Sequence, residues 1–147
     1  MASLCGILLV GDKKSIHSNC FHMSVKGSGR MRLKSSIFVS AILRREQVDG
    51  AFGVVLRKGA EDAGAIFVVH QISASAANVY APAPQVFAAE SESGERLFEL
   101  RLKEAGPQEV SEFLDRQVSF DPDCWIVEIE KRTDLVSIDI AGPEAGM

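Results

Sequence analysis

Apolar and polar residues follow two periods along this chain. Residues 63–70, Ala63-Gly64-Ala65-Ile66-Phe67-Val68-Val69-His70, form a strand-length apolar run with no acidic or basic residue before the histidine. A run of this kind, rich in β-branched and aromatic residues and bounded by turn-formers, predicts a central strand covered on both faces. Residues 51–58 read as a strand through Val54, Val55 and Leu56, and residues 77–81 as another that Pro82 and Pro84 stop or bend at an edge. Residues 86–89 and 96–102 are further apolar segments on either side of an acidic turn over 90–95. In the second, Phe98, Leu100 and Leu102 alternate with Glu99, Arg101 and Lys103, the pattern of a half-buried strand. Trp125, Val127 and Ile129 alternate with Ile126, Glu128 and Glu130 after a tight Asp121-Pro122-Asp123 turn. Trp125 is therefore expected in the core. Val136, Ile138 and Ile140 leave room for one more short strand in the tail, ended by Gly142-Pro143.

Two stretches carry the helical period instead. Over residues 34–48, Ser35 or Ser36 offers a cap, Ile37, Phe38, Ala41, Ile42 and Val48 form the apolar stripe, and Asp49-Gly50 is a stop. Arg44 and Arg45 lie near its C-terminus, where the helix dipole favours cations. Pro107 opens the second helix, whose stripe is Val110, Phe113, Leu114 and Val118 and which ends near Ser119. The order α-β-β-β-β-α-β predicts an α+β fold: a small, mainly antiparallel sheet of about five strands with two helices. The connection over 59–64 holds two glycines but lacks the Gly-Lys-Ser/Thr of a phosphate loop, and Glu61 and Asp62 would repel phosphate. It reads as a hairpin loop.

Residues 1–30 mostly lack a period. Leu4 and the apolar residues up to Val10 have no basic residue before them and no small-residue cleavage pattern after them, which argues against a secretory signal. They read as a flexible or spurious extension, with Met31 as the start, residues 31–132 as one domain and 133–147 as a tail. Within that domain, Met31-Arg32-Leu33-Lys34, Leu43-Arg44-Arg45, Asp62-Ala63-Gly64-Ala65, Tyr80-Ala81-Pro82-Ala83-Pro84-Gln85 and Phe120-Asp121-Pro122-Asp123-x-Trp125-x-Val127-Glu128-Ile129-Glu130 occur in that order. Together they resemble the alphaproteobacterial family called domain of unknown function 1491. The resemblance implies a short cytosolic α+β protein and brings no activity, cofactor or catalytic residue with it. Residues 1–30 and 133–147 fall outside its pattern.

Apolar residues at 46% and charged residues at 24% describe a globular chain rather than a disordered one. No apolar run approaches the ~18 to 20 residues that cross a bilayer, which argues against a membrane partner. The net charge of -4 conceals an asymmetry. Residues 1–60 carry a surplus of seven positive charges and residues 61–147 a surplus of eleven negative ones, so the halves can neutralise each other when packed. That opposition argues against strong nucleic-acid binding. Cys5, Cys20 and Cys124 form no disulfide framework, which fits a reducing, cytoplasmic compartment. His17, Cys20, His22 and Cys5 match no usual zinc spacing. Neither a metal nor a cofactor is expected.

Three function classes follow. The leading one is a binding or adaptor module that recognises a protein partner through one sheet face or through the first helix. The second is a small enzyme using an acidic cluster, with Asp121, Asp123, Glu128, His70 and Arg44 as its candidate residues. For these, simpler roles compete: Asp121 and Asp123 can serve the turn, Glu128 and Glu130 a solvated strand face, and His70 a buried hydrogen bond. The third is nucleic-acid binding by the basic segment 30–45.

Overall fold

The computed structural model describes residues 33–84 and 96–141. The extension over 1–30, the start at Met31, the segment 86–89 with its acidic turn, and Gly142-Pro143 lie outside the described residues. Among the described residues the elements are α1 (Ser35–Val48), β1 (Phe52–Arg57), β2 (Ile66–Ser73), β3 (Ala76–Pro82), β4 (Leu97–Ala105), α2 (Pro107–Phe120), β5 (Trp125–Glu130) and β6 (Asp139–Ile140). The six strands form one mixed sheet in the order β1-β5-β2-β3-β4-β6. The fold is α+β, as the periods predict, and the sixth strand is the short one in the tail.

β2 is central and covered on both faces: Ile66, Phe67, Val68, Val69 and His70 are all buried. On one face, Val39 and Ile42 of α1 pack against Ile66, Val68, Tyr80, Phe98, Trp125, Val127 and Ile129. On the other, Val110 and Phe113 of α2 pack against Phe67, Val69, Val79, Ala81, Cys124 and Ile126, with Phe113 edge-on to Phe67 at 6.4 Å. A helix on each face explains why the central run has no polar side: every second residue still meets apolar cover. Among the described residues, no helix is long and apolar enough to cross a membrane.

Three details differ from the sequence expectations. First, residues 59–64 do not make a hairpin, because β5 lies between β1 and β2, antiparallel to the first and parallel to the second. The connection crosses the end of β5 in close contact with it. The Ala60 amide donates to Asp123 O at 2.9 Å, and a Cβ on Gly59 would collide with the Asp123 carbonyl. Gly64 is equally confined, 2.6 Å from that carbonyl to an added Cβ. The two glycines thus admit a backbone crossing.

Second, α1 is rotated from the expected stripe. Its buried residues are Ser35, Val39, Ile42 and Glu46, whereas Ile37 is half exposed and Val48 is 86% exposed. Two polar residues take core-facing positions because each has a fixed partner there. Ser35 is not a cap: Lys34 occupies that position, and the Ser35 hydroxyl donates to Gly64 O at 2.8 Å. The helix stops as expected, with Gly50 at a φ of 86° following Asp49.

Third, the alternation in β4 breaks. Val79 pairs with Leu102 but Tyr80 with Leu100, so the register shifts between them. Phe98 and Leu100 accordingly face α1, while Leu102 faces α2.

Candidate functional site

The chain leaves β5 on the α1 face and passes over it to reach β4, where β6 pairs in parallel with Leu97 and Phe98. Leu135 and Ile138 of this strap join the α1-side core. Residues 133–141 are thus packed onto the domain that the sequence separates from them.

What fixes the strap is Glu46, which is fully buried. Its Oε1 accepts hydrogen bonds from the Val136 amide (2.8 Å), the Ser137 amide (2.9 Å) and the Ser137 hydroxyl (2.6 Å). Its Oε2 accepts one from the Lys131 ammonium at 2.9 Å, and the same ammonium lies 2.5 Å from Asp49. Helix, strand end and strap are joined by one ionic knot. His70, 1% exposed, adds a bond from its Nε2 to Lys131 O at 2.8 Å, while its buried Nδ1 has no hydrogen-bond partner among the described residues. A carbonyl can only accept, so Nε2 carries the hydrogen.

Burial alone pushes the Glu46 carboxyl up. The Ser137 hydroxyl, the Lys131 ammonium and the two backbone amides outweigh it and hold the group below its ordinary value of 4.5. Lys131 is raised above 10.5, first by its bond to Asp49 and also by Glu46, against the opposing effect of burial. Both directions keep the pair ionised. A carboxyl lowered on folding contributes stability that is complete above its unfolded pKa and lost as pH falls through its folded one. Denaturation midpoints should therefore begin to fall as the solution is acidified below about 4.5, and Glu46→Gln should remove that part of the slope. Lys131 has the opposite sign: its contribution is complete below 10.5 and is lost only as pH rises through its raised value.

A cleft of about 590 Å³ opens beside the knot, at the carboxyl ends of the parallel strands β2 and β5. Asp49, Glu130, Lys131 and Arg132 bring two charges of each sign to its wall, and Ser73, Thr133, Phe52 and Ile72 also line it. With Lys131 committed to two carboxylates, the cleft offers a polar surface of balanced charge rather than an anion site.

The five candidate residues are not brought together. Asp121 and Asp123 stand at the amino end of β5, where the Asp123 amide donates to Asp121 Oδ1 at 3.1 Å. His70 lies in the carboxyl half of β2, towards the opposite end of the sheet. Glu128 is beside Val69 and His70 beside Ile129, so their side chains leave opposite faces. Arg44 is exposed on α1, and Lys34, from the same basic segment, is paired with Asp62 at 2.8 Å. No group of three or more His, Cys, Asp or Glu among the described residues is placed to hold a metal ion.

The other distinctive surface is β1. Its exposed positions are apolar: Phe52 is 68%, Val54 39% and Leu56 53% exposed. Val54 pairs with Glu128 and Phe52 with Glu130, on the face that α2 covers elsewhere. α2 packs over β2, β3, β4 and β5, and among the described residues no element covers this face of the outer strand. The periods along the chain mark β1 as a strand but give no role to its exposed row, to Glu46 or to Lys131. The signals were present: Glu46 continues the spacing of Ser35, Val39 and Ile42 by four residues, and Phe52, Val54 and Leu56 alternate at period two.

Fold and site together define a small α+β domain whose mixed sheet lies between two helices and whose C-terminal strap is tied by a buried ionic knot. The chain belongs to the family described as protein of unknown function (DUF1491), which it matches over residues 33–138. That match extends beyond the expected pattern into the strap, as far as Ile138. The chain is similar to the solution structure of protein Atu0922 from A. tumefaciens, at 42% identity over 78% of this chain and 98% of that one, with a TM-score of 0.68. It is also similar to a DUF1491 family protein from Caulobacter crescentus, solved as a crystal structure (27% identity, 76% of this chain and 100% of that one, TM-score 0.62). An NMR structure of a DUF1491 family protein from the same organism is similar at 27% identity, over 76% and 99% of the two chains, with a TM-score of 0.60. No curated protein matches the chain.

Proposed function

We propose that this chain is a cytoplasmic protein-binding module whose contact surface is the bare face of β1. The observation that carries the reading is the row Phe52, Val54 and Leu56 on the outermost strand. Edge strands are ordinarily guarded by charge, proline or cover, and an apolar row on one costs solubility unless a partner uses it. An extended protein segment satisfies both needs of such a strand, pairing with its backbone and covering its side chains. The separation of Asp121 and Asp123 from His70, and of His70 from Glu128, supports this reading over the enzyme.

The test is an affinity capture from the native cell followed by mass spectrometry, with the wild type, Val54→Lys and Glu112→Lys as baits. Val54→Lys places a cation next to Glu128, so the fold should be retained, while the apolar row is interrupted. Proteins held by the wild type and by Glu112→Lys should be lost with Val54→Lys. An identical catch with all three baits would remove β1 from consideration.

A further inference from the structure

The bare row of β1 has acidic neighbours on its inner side. Glu128 and Glu130 of β5 pair with Val54 and Phe52, and cross-strand partners share a sheet face, so both carboxylates stand on the face that the row occupies. Glu128 is half-buried and Glu130 exposed, and among the described residues no hydrogen bond or ion pair reaches either carboxylate. We infer that the row receives an extended segment of a partner protein with two cations in a Lys/Arg-x-Lys/Arg pattern, its backbone along the outer edge of β1 and its charged heads on Glu128 and Glu130. The inference rests on the binding reading above and names the chemistry of the partner.

Three observations support it. The first is desolvation. A segment that covers Phe52 and Val54 also removes water from the carboxylates beside them, and a carboxylate that loses water without gaining a partner is costly. An apolar or acidic segment incurs that cost, whereas a cationic one offsets it.

The second is reach. β1 lies between its own outer edge and β5, so an added strand stands two strand spacings, roughly 10 Å, from the glutamates. Lysine and arginine suit this gap, because their aliphatic stems lie along apolar surface while the charged head extends beyond it. One such side chain covers a residue of the row and also meets the carboxylate behind it. Glu128 and Glu130 are about 7 Å apart by the strand repeat, the spacing of alternate residues on one face of an extended partner.

The third is that the protein's own cations nearby are placed elsewhere. Lys131 is held by Glu46 and Asp49, and Arg57, beside Ile126 at the far end of the row, donates to Pro122 O at 2.9 Å. Arg132 follows the end of β5 and lines the cleft, and among the described residues it forms no ion pair with Glu130.

Fluorescence anisotropy of the full chain with labelled, end-blocked peptides tests the inference. One probe is Thr-Val-Lys-Val-Lys-Val-Thr, and the other has glutamate in place of both lysines. The wild type should bind the lysine probe with an affinity that falls as salt is raised. It should bind the glutamate probe at least about tenfold more weakly, since like charges then meet. Glu128→Gln combined with Glu130→Gln keeps the shape of both side chains and should lose most of that preference. Glu128→Lys combined with Glu130→Lys should reverse it, with circular dichroism confirming the fold of each variant. Equal binding of the two probes, binding of neither, or a preference that survives the glutamine pair would overturn the inference. So would a wild type that sediments as a dimer and becomes monomeric with Val54→Lys, since the row would then belong to a second copy. The native-cell catch separates this inference from the reading beneath it. Proteins lost with Val54→Lys but kept by the glutamine pair retain β1 as the surface and reject the cationic partner, whereas a catch unchanged by Val54→Lys rejects both.

Discussion

Trp125→Ala should leave the domain largely unfolded, or lower its denaturation midpoint sharply. Trp125 is 4% exposed in the α1-side core, and its Nε1 donates to Ala60 O at 2.7 Å. One side chain thus anchors the start of β5 and holds the crossing segment that connects β1 to β2. Truncating a buried tryptophan typically costs ~3 to 5 kcal/mol, a large share of the ~5 to 15 kcal/mol a domain possesses. Because Trp125 is the chain's single tryptophan, its emission should be blue-shifted and shielded from quenchers in the wild type. A midpoint within ~0.5 kcal/mol of the parent, the size of an ordinary surface change, would contradict this placement.

Removing one member of the ionic knot should be nearly as costly. Glu46→Ala leaves the Val136 and Ser137 amides without their acceptor and the buried Lys131 with Asp49 alone. Breaking a buried pair from one side typically costs ~3 to 5 kcal/mol, because the remaining charge stays desolvated. Lys131→Met should also destabilise, leaving Glu46 charged and buried. Combining Glu46→Leu with Lys131→Met should recover part of the loss, since two apolar residues then replace two charges. Recovery should be incomplete by about 1 to 3 kcal/mol, the usual cost of unsatisfied buried donors, here the strap amides. Denaturant midpoints of the singles and the double measure this coupling, and strict additivity would show that the two groups act independently.

These two sites mark how far the sequence reveals the fold. The placement of Trp125 was legible because its alternation with Ile126 and Glu128 is local, and β2 was legible because a charge-free run has only one stable location. The phase of α1 was not. Ser35 and Glu46 interrupt its apolar period, and what makes them core residues is Gly64 O in one case and the strap with Lys131 in the other. Those partners are 29 to 91 residues away, so no window along the chain contains them. The insertion of β5 between β1 and β2 was hidden for the same reason: strand order follows long-range pairing, and the turn composition of residues 59–64 suits a hairpin as well as a crossing.

For the five candidate residues, the sequence gives the side chain but not the place the fold assigns to it. Asp121 serves the turn, its Oδ1 accepting from the Asp123 amide, and His70 makes the buried hydrogen bond that competed with a catalytic role. Their separation depends on which sheet end and which face each occupies. For Glu128 and His70 that follows from a pairing between strands more than fifty residues apart in sequence.

We propose that the bare row of β1 is where this protein meets another. Site-specific photo-cross-linking in living cells tests it most directly, with the reactive residue placed at Val54 in one experiment and at Glu112, on the exposed side of α2, in the other. A discrete covalent adduct is expected from position 54, either to a second copy or to a different protein, and none from position 112. No adduct from position 54, or the same diffuse products from both positions, would contradict it.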